Sequence, residues 1–168
     1  MRFSEQATGH HPHQPPGPME FQQRIAVTTS PAKVWDLLWD IKRVAACIPG
    51  CKDAREIEPH KRYLAVVGER VGPFKVEFPL EIEVLEAQEG RRLRASATGK
   101  DTAIGSSMKM LLDLGILEEG GQTIVDIRTD VSILGKLGTL GHSMIKRKAD
   151  EVMAKFVNAL KAELERAG

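Results

Sequence analysis

Between Lys52 and about Leu134 apolar and polar residues alternate with a period of two, and from about Leu137 to Arg166 the apolar residues recur with helical spacing instead. A chain that changes period in this order builds a sheet and then lays one long helix on it. Val76, Phe78, Leu80, Ile82 and Val84 are interleaved with Glu77, Glu81 and Glu83, so one face of that strand is apolar and the other solvated. The same alternation runs through Met108, Met110, Leu112 and Leu114, and through Val125, Ile127, Val131 and Ile133, and all three sets are expected to face one interior. Turn signals at Pro59-His60, Gly72-Pro73, Glu89-Gly90, Ala103 to Ser106 and Gly120-Gly121 divide the region into five or six antiparallel strands. Pro79 has no N–H to give to a ladder, which predicts that its strand lies at an edge or is bulged there.

Ahead of the alternating region, Phe21, Ile25 and Val27 mark a first strand over Glu20 to Thr28. Ser30 and Pro31 then stand at the N-cap and first position of a helix. Its apolar stripe is Val34, Leu37, Leu38 and Ile41, with Trp35 and Trp39 one turn apart on the flank. A second short helix is expected over Val44 to Cys47, ended by Pro49 and Gly50. In the last helix Leu140, Met144, Val152, Phe156, Leu160 and Leu164 share one side. These elements make a two-layer α+β arrangement, a curved antiparallel sheet around a long C-terminal helix. A twisted sheet wrapped on a helix need not close on its inner side, so an internal hydrophobic cavity is expected. Residues 1–18, rich in Pro, Gly and His, form no periodic face and are expected to be a disordered leader. The folded ligand-binding domain is then 19–168. His10, His11 and His13 in the leader lack the fixed geometry of a metal site.

Charge excludes one class of function. The 24 Lys and Arg residues are offset by 23 Asp and Glu, leaving a formal charge of +1, so a nucleic-acid partner is not expected. Apolar runs end well short of the roughly 20 residues of a membrane-spanning helix, and the N-terminus lacks the pattern of a secretory signal. A cytoplasmic location follows as the expectation, with Cys47 and Cys51 as free thiols.

Several residue groups carry chemistry in other settings. Cys47 and Cys51 are interrupted by Pro49-Gly50, and His60 adds no recognised ligand spacing, so structural thiols are preferred to a metal or redox site. Ile48 and Pro49 are weighed as contacts at a cavity mouth against simple turn residues. Gly135, Gly138 and Gly141 precede the last helix without the Lys-Ser or Lys-Thr step of a phosphate loop, and close packing or room for a flat ring fits them better. Met108, Met110, Met144 and Met153 suit either core filling or an adaptable lining. Lys146, Arg147 and Lys148 are read as a solvated face, with contact to anionic headgroups as the alternative. No nucleophile–base pair stands out, and no catalytic or metal-binding residue is assigned. His142 and Tyr63 are the best candidates for a hidden acid or base, while Asp113 and Asp126 fall on the solvated alternation.

The run Ser30-Pro31-Ala32-Lys33-Val34-Trp35-Asp36-Leu37-Leu38 is similar to the first-helix start found across the START-like, or SRPBCC, superfamily. Cys47-Ile48-Pro49-Gly50-Cys51, Val71-Gly72-Pro73-Phe74 and Leu134-Gly135-Lys136-Leu137-Gly138-Thr139-Leu140-Gly141 narrow the resemblance to the CoxG family, named for a subunit of carbon monoxide dehydrogenase, over nearly all of residues 19–167. The resemblance implies a helix-grip fold and a non-catalytic accessory role beside a molybdenum hydroxylase of the carbon monoxide dehydrogenase type. It also implies recruitment of that enzyme to the cytoplasmic membrane, with menaquinone, ubiquinone or a lipid as the cavity ligand. Relatives often carry a C-terminal extension suited to membrane contact, whereas this chain stops at Gly168. The expected lining is Ile48, Pro49, Phe78, Leu80, Met110, Leu112, Ile127, Val131, Gly138, Gly141, Met144, Val152 and Phe156. The alternative function is a START-like cyclase or hydrolase of a bulky apolar substrate.

Overall fold

A computed structural model describes residues 18–167, and the predicted leader lies outside them except for Pro18. Strand β1 (Met19–Val27) leads into helices α1 (Pro31–Leu38) and α2 (Ile41–Ala46). Strands β2 (Cys51–Glu58), β3 (Arg62–Val71), β4 (Phe74–Gln88), β5 (Arg92–Asp101), β6 (Ser106–Glu119) and β7 (Gln122–Gly135) follow. A 3-10 turn (Lys136–Leu140) then precedes the long helix α3 (His142–Ala167). The seven strands form one antiparallel sheet in the order β1-β7-β6-β5-β4-β3-β2. From β2 to β7 each strand pairs with its sequence neighbour, the meander that the alternating stretch predicts, and β1 closes beside β7.

Local chemistry explains the element boundaries. Ser30 Oγ accepts the Lys33 N–H at 3.3 Å and Pro31 opens α1, as its pattern predicts. Asp40 Oδ1 accepts the Arg43 N–H at 3.3 Å and so starts α2 at Ile41 rather than at Val44. Ile41 therefore belongs to α2 and not to the stripe of α1. The last helix also begins later than its apolar spacing predicts. Gly141, at φ 94°, takes a backbone conformation outside the helical region and separates the 3-10 turn from α3.

Pro79 requires a correction. β4 lies between β3 and β5, so it is an interior strand. Its pairing with β3 covers Phe74 to Glu83, but its pairing with β5 begins only at Leu80 opposite Gly99. Before Leu80 the β5 side of β4 has no ladder, and Pro79 sits at that change, where its missing donor is harmless. Next to it, the Glu77 N–H is satisfied by Asp101 Oδ2 at 2.7 Å. The buried Asp101 also accepts the N–H groups of Ala103 and Ile104, at 3.0 and 3.3 Å, and so organises the β5–β6 turn.

The pleat places the apolar residues of β1 and β3–β7 on the face toward α3. One buried cluster joins Ile25, Val27, Val34, Leu37, Leu93, Leu114, Val125, Ile127, Leu160 and Leu164. A second gathers Val76, Phe78, Leu80 and Leu137, and a third Met19, Phe21, Val131 and Ile145. The C-terminal end of α3 is tied down by polar bonds. The buried Thr29 hydroxyl donates to the Leu164 carbonyl at 2.5 Å, and the Thr123 hydroxyl donates to the Thr29 carbonyl at 2.5 Å.

Two stability tests follow from this geometry. Gly50 has φ 75°, and a Cβ there would lie 1.9 Å from the Gly68 carbonyl oxygen; Gly120 has φ 60° and open space around it. Gly50→Ala is expected to cost about 3 kcal/mol or more, and Gly120→Ala about 1 kcal/mol, in urea unfolding. Equal losses would mean that backbone conformation alone, and not the Gly50–Gly68 contact, sets the cost. Removing the Asp101 carboxylate with Asp101→Ala strands three backbone donors and is expected to cost about 3 kcal/mol in the same assay. An effect below about 0.5 kcal/mol, typical of surface positions, would count against the role given to Asp101.

Candidate functional site

The inner face of the sheet is built from rows fixed by register. Tyr63, Ile82, Ala97, Met110 and Val131 lie side by side from β3 to β7, as do Ala65, Leu80, Gly99, Met108 and Ile133. On β5 the successive inward positions Ala95, Ala97 and Gly99 carry little or no side chain. On the same face Val67, Ile82, Met110 and Leu112, and on α3 Val152, Met153 and Phe156, are only half-buried. Farther along α3, Leu160 and Leu164 are sealed at 1% and 0% exposure. Burial of the apolar surface is therefore complete near the C-terminal end of α3 and partial in its middle. Lys148 Nζ on α3 meets Glu69 Oε1 on β3 at 2.7 Å and ties the helix to the sheet. The hydrogen bond it donates to Glu69, more than the charge of Glu69, holds the Lys148 ammonium above its ordinary pKa.

The expected lining residues separate in space. Phe78 and Leu80 are buried in the second cluster and Val131 in the third, while Ile127 is buried in the first. Met110 packs on the third cluster, and Leu112 and Phe156 pack on the first. Val152 is half-buried on α3, and Ile48 and Pro49 are half-buried in the link from α2 to β2. Gly138 lies in the 3-10 turn, Gly141 at its end, and Met144 is 39% exposed near the start of α3. A Cβ on Gly72, in the β3–β4 turn, would come within 3.0 Å of the Met144 sulfur, so Met144 covers that turn.

A concavity lies on the opposite face of the sheet. A groove of about 1410 Å³ runs from Lys42, Asp53 and Arg55 across Leu64, Val66, Pro79, Glu81, Thr98, Lys100, Ser107, Lys109, Ser132 and Leu134. Most of these occupy the outward alternation of β3–β7. Leu80 is the one expected lining residue that borders it. Its wall is mostly apolar, and its rim carries Lys, Arg, Asp and Glu side chains.

Cys47 caps α2 and is buried, with its thiol directed at the Arg43 carbonyl at 3.4 Å; Cys51 opens β2. Burial raises both thiols above their ordinary pKa, with the Glu163 charge adding to the shift at Cys47, so neither is an activated thiolate. Among the described residues no cluster of three or more His, Cys, Asp or Glu side chains has a metal-binding arrangement. His142 is exposed at the start of α3. The Tyr63 hydroxyl accepts the His60 N–H at 3.0 Å, and burial is the main reason its pKa lies above the ordinary phenol value. Asp113 and Asp126 lie on the outer face and pair with Arg92 and Arg24. Lys146 pairs with Asp150 as Lys148 does with Glu69, so two of the three clustered cations are matched by acids. Sequence reasoning missed the Glu69–Lys148 link and the stacking of His60 on Trp39, with ring centroids 4.0 Å apart. Neither has a local signal, since each joins residues far apart in the chain.

Among the described residues no helix is long and apolar enough to cross a membrane. The fold is shared with solved structures of low sequence identity. A conserved protein of Geobacillus kaustophilus superposes with a TM-score of 0.73 at 20% identity, over 89% of this chain and 97% of that one. The Zhui aromatase/cyclase of a Streptomyces species gives a TM-score of 0.67 at 13% identity, covering 89% and 94%. A START superfamily protein of Mycobacterium smegmatis gives 0.62 at 16%, covering 89% and 99%. No curated protein sequence matches the chain. The profile of one family, the CoxG subunit of carbon monoxide dehydrogenase, spans residues 24–165, from the middle of β1 almost to the end of α3. With most of its length matched by that profile and a START-like sheet gripping a C-terminal helix, the chain belongs to the CoxG family of carbon monoxide dehydrogenase subunits.

Proposed function

We propose that this protein is a non-catalytic accessory subunit that holds a lipophilic molecule, a quinone or a lipid, between its sheet and α3. It serves a molybdenum hydroxylase of the carbon monoxide dehydrogenase type at the inner face of the cytoplasmic membrane. The observation that carries the ligand role is the incomplete burial of large apolar side chains on the inner face and on α3. Ile82, Met110, Leu112, Met153 and Phe156 are only half-buried, and the sheet positions between them are the small residues Ala95, Ala97 and Gly99. Apolar surface left open costs roughly 25 cal/mol per Å² relative to covering it, so an apolar ligand that fills the space is stabilised by the same amount before ordering costs. Family membership supports the partner, because the family is named as a subunit of carbon monoxide dehydrogenase. Transfer of reducing equivalents from such an enzyme to the respiratory chain needs a mobile carrier, which favours a quinone among lipophilic ligands.

A cyclase is the second reading, favoured by the likeness to the Zhui aromatase/cyclase. The polar side chains at the inner face weigh toward carriage. Thr129 is buried between Leu112 and Phe21, and the Tyr63 hydroxyl is held by a backbone donor. No acid or base is described at hydrogen-bond distance from Thr129, and at Tyr63 the neighbouring Glu56 carboxylate helps hold the phenol above its ordinary pKa rather than activating it.

Native mass spectrometry of protein purified without detergent, with solvent extraction and absorbance spectroscopy of the released material, tests the proposal. A quinone or lipid at one per chain is expected. A ligand-free protein that also takes up neither added menaquinone nor added ubiquinone would remove the carrier role. A Phe156→Ala, Met110→Ala double variant enlarges the same space, and is expected to lower retention at least tenfold while the protein stays folded by circular dichroism.

A further inference from the structure

The junction where α1 meets the β2–β3 turn holds three features that packing alone does not require. The first is the Trp39 indole nitrogen, which is shielded from solvent and has no hydrogen-bond partner among the described residues. A buried donor left unpaired is costly, and a phenylalanine would fill the same space without it. The second is His60, which stacks on Trp39 with centroids 4.0 Å and planes 20° apart, while Trp35 meets Trp39 edge-on at 5.5 Å. The third is the backbone of His60, at φ 62° in a turn closed by the Lys61 N–H on the Glu58 carbonyl at 2.9 Å. Few non-glycine residues take that conformation and histidine is among those that do so most readily, so the turn sets the imidazole in place without needing a glycine. The Tyr63 hydroxyl pins the same residue by accepting its N–H at 3.0 Å.

Trp39 packs on the first buried cluster, as do Val84, Leu112 and Phe156, the last two being expected lining residues. Its N–H is therefore a shielded polar group beside an apolar surface, with the His60 ring stacked on the indole. From this geometry we infer that Trp39 Nε1–H is the anchor for an oxygen acceptor on the bound molecule, a ring carbonyl, and that His60 is the cover that keeps the bond dry. The inference rests on the carrier role proposed above and adds the position and chemistry of the ligand's polar end. The indole discriminates by chemistry: it donates and cannot accept, so it selects a carbonyl over a ring that presents no acceptor.

Two probes of nearly equal shape separate the outcomes: menadione, which carries two ring carbonyls, and methylnaphthalene, which carries none. Trp39 and Trp35 give two indole N–H resonances in a nitrogen–proton correlation spectrum, assigned by the signal lost in Trp39→Phe. Menadione is expected to move the Trp39 signal downfield, and methylnaphthalene to bind without that shift. By calorimetry Trp39→Phe is expected to weaken menadione about fivefold, the equivalent of one hydrogen bond of ordinary net strength, and to leave methylnaphthalene unchanged. Menadione bound with the Trp39 resonance unmoved, as for an indole satisfied by water only, would overturn the anchor and leave the carrier role standing. Failure of both probes to bind the native protein would overturn both. Where Trp39→Phe does not fold, Trp35→Phe supplies the assignment and the spectrum of the native protein decides the matter.

Discussion

One pleat parity, maintained by register from β3 to β7 and across to β1, is the constraint on which the rest of the structure depends. Each cross-strand pair places two residues on the same face, so Leu80, Gly99, Met108 and Ile133 must all face α3 once any one of them does. A slip of one residue in a single strand would bring Glu81 or Lys109 under the helix. Where an extra residue occurs the parity is protected. The irregularity between Val84 and Glu86 leaves Leu85 unpaired and 48% exposed, and Val84 and Ala87 both keep the inward alternation.

Given that parity, the helix is held at its two ends and by one lateral tie. Near its C-terminus Thr29, Thr28 and Arg43 meet Leu164, Glu165 and Glu163, and Leu160 and Leu164 are fully buried. Near its N-terminus Ile145 is buried with Met19, Phe21 and Val131. In the middle the small residues of β5 withdraw from the helix, and Glu69–Lys148 links the two at the β3 side. This arrangement gives complete burial at the ends and partial burial of apolar surface between them, a division that suits the proposed carrier role.

The two faces of the sheet offer different chemistry. The inner one is apolar with a few placed polar groups, and the outer one carries a long groove edged by Lys42, Arg55, Lys100, Lys109, Asp53 and Glu81. The proposed accessory role needs contact with both a cargo and an enzyme, and two faces of different character would let those contacts form without competing for one surface.

The order of elements, the meander, the face each strand presents and the capping of α1 were legible in the sequence, because each depends on spacing within a few residues. The start of α2 and the break at Gly141 were displaced by a few residues, since an Asp40 cap and a glycine at φ 94° compete with apolar periodicity at those points. Pro79 was misplaced for a different reason. A missing donor shows that a ladder ends, but only the lengths of β4 and β5 together show that it ends within an interior strand. The expected lining was drawn from spacing alone and does not fix a place: Phe78, Ile127 and Val131 lie in three separate buried clusters, and Met144 covers the β3–β4 turn. The sequence by itself determined which side of each strand is apolar. Only the tertiary structure decided which of those side chains are sealed, which stay open beside α3, and that His60 closes over Trp39, because burial depends on what arrives from distant parts of the chain.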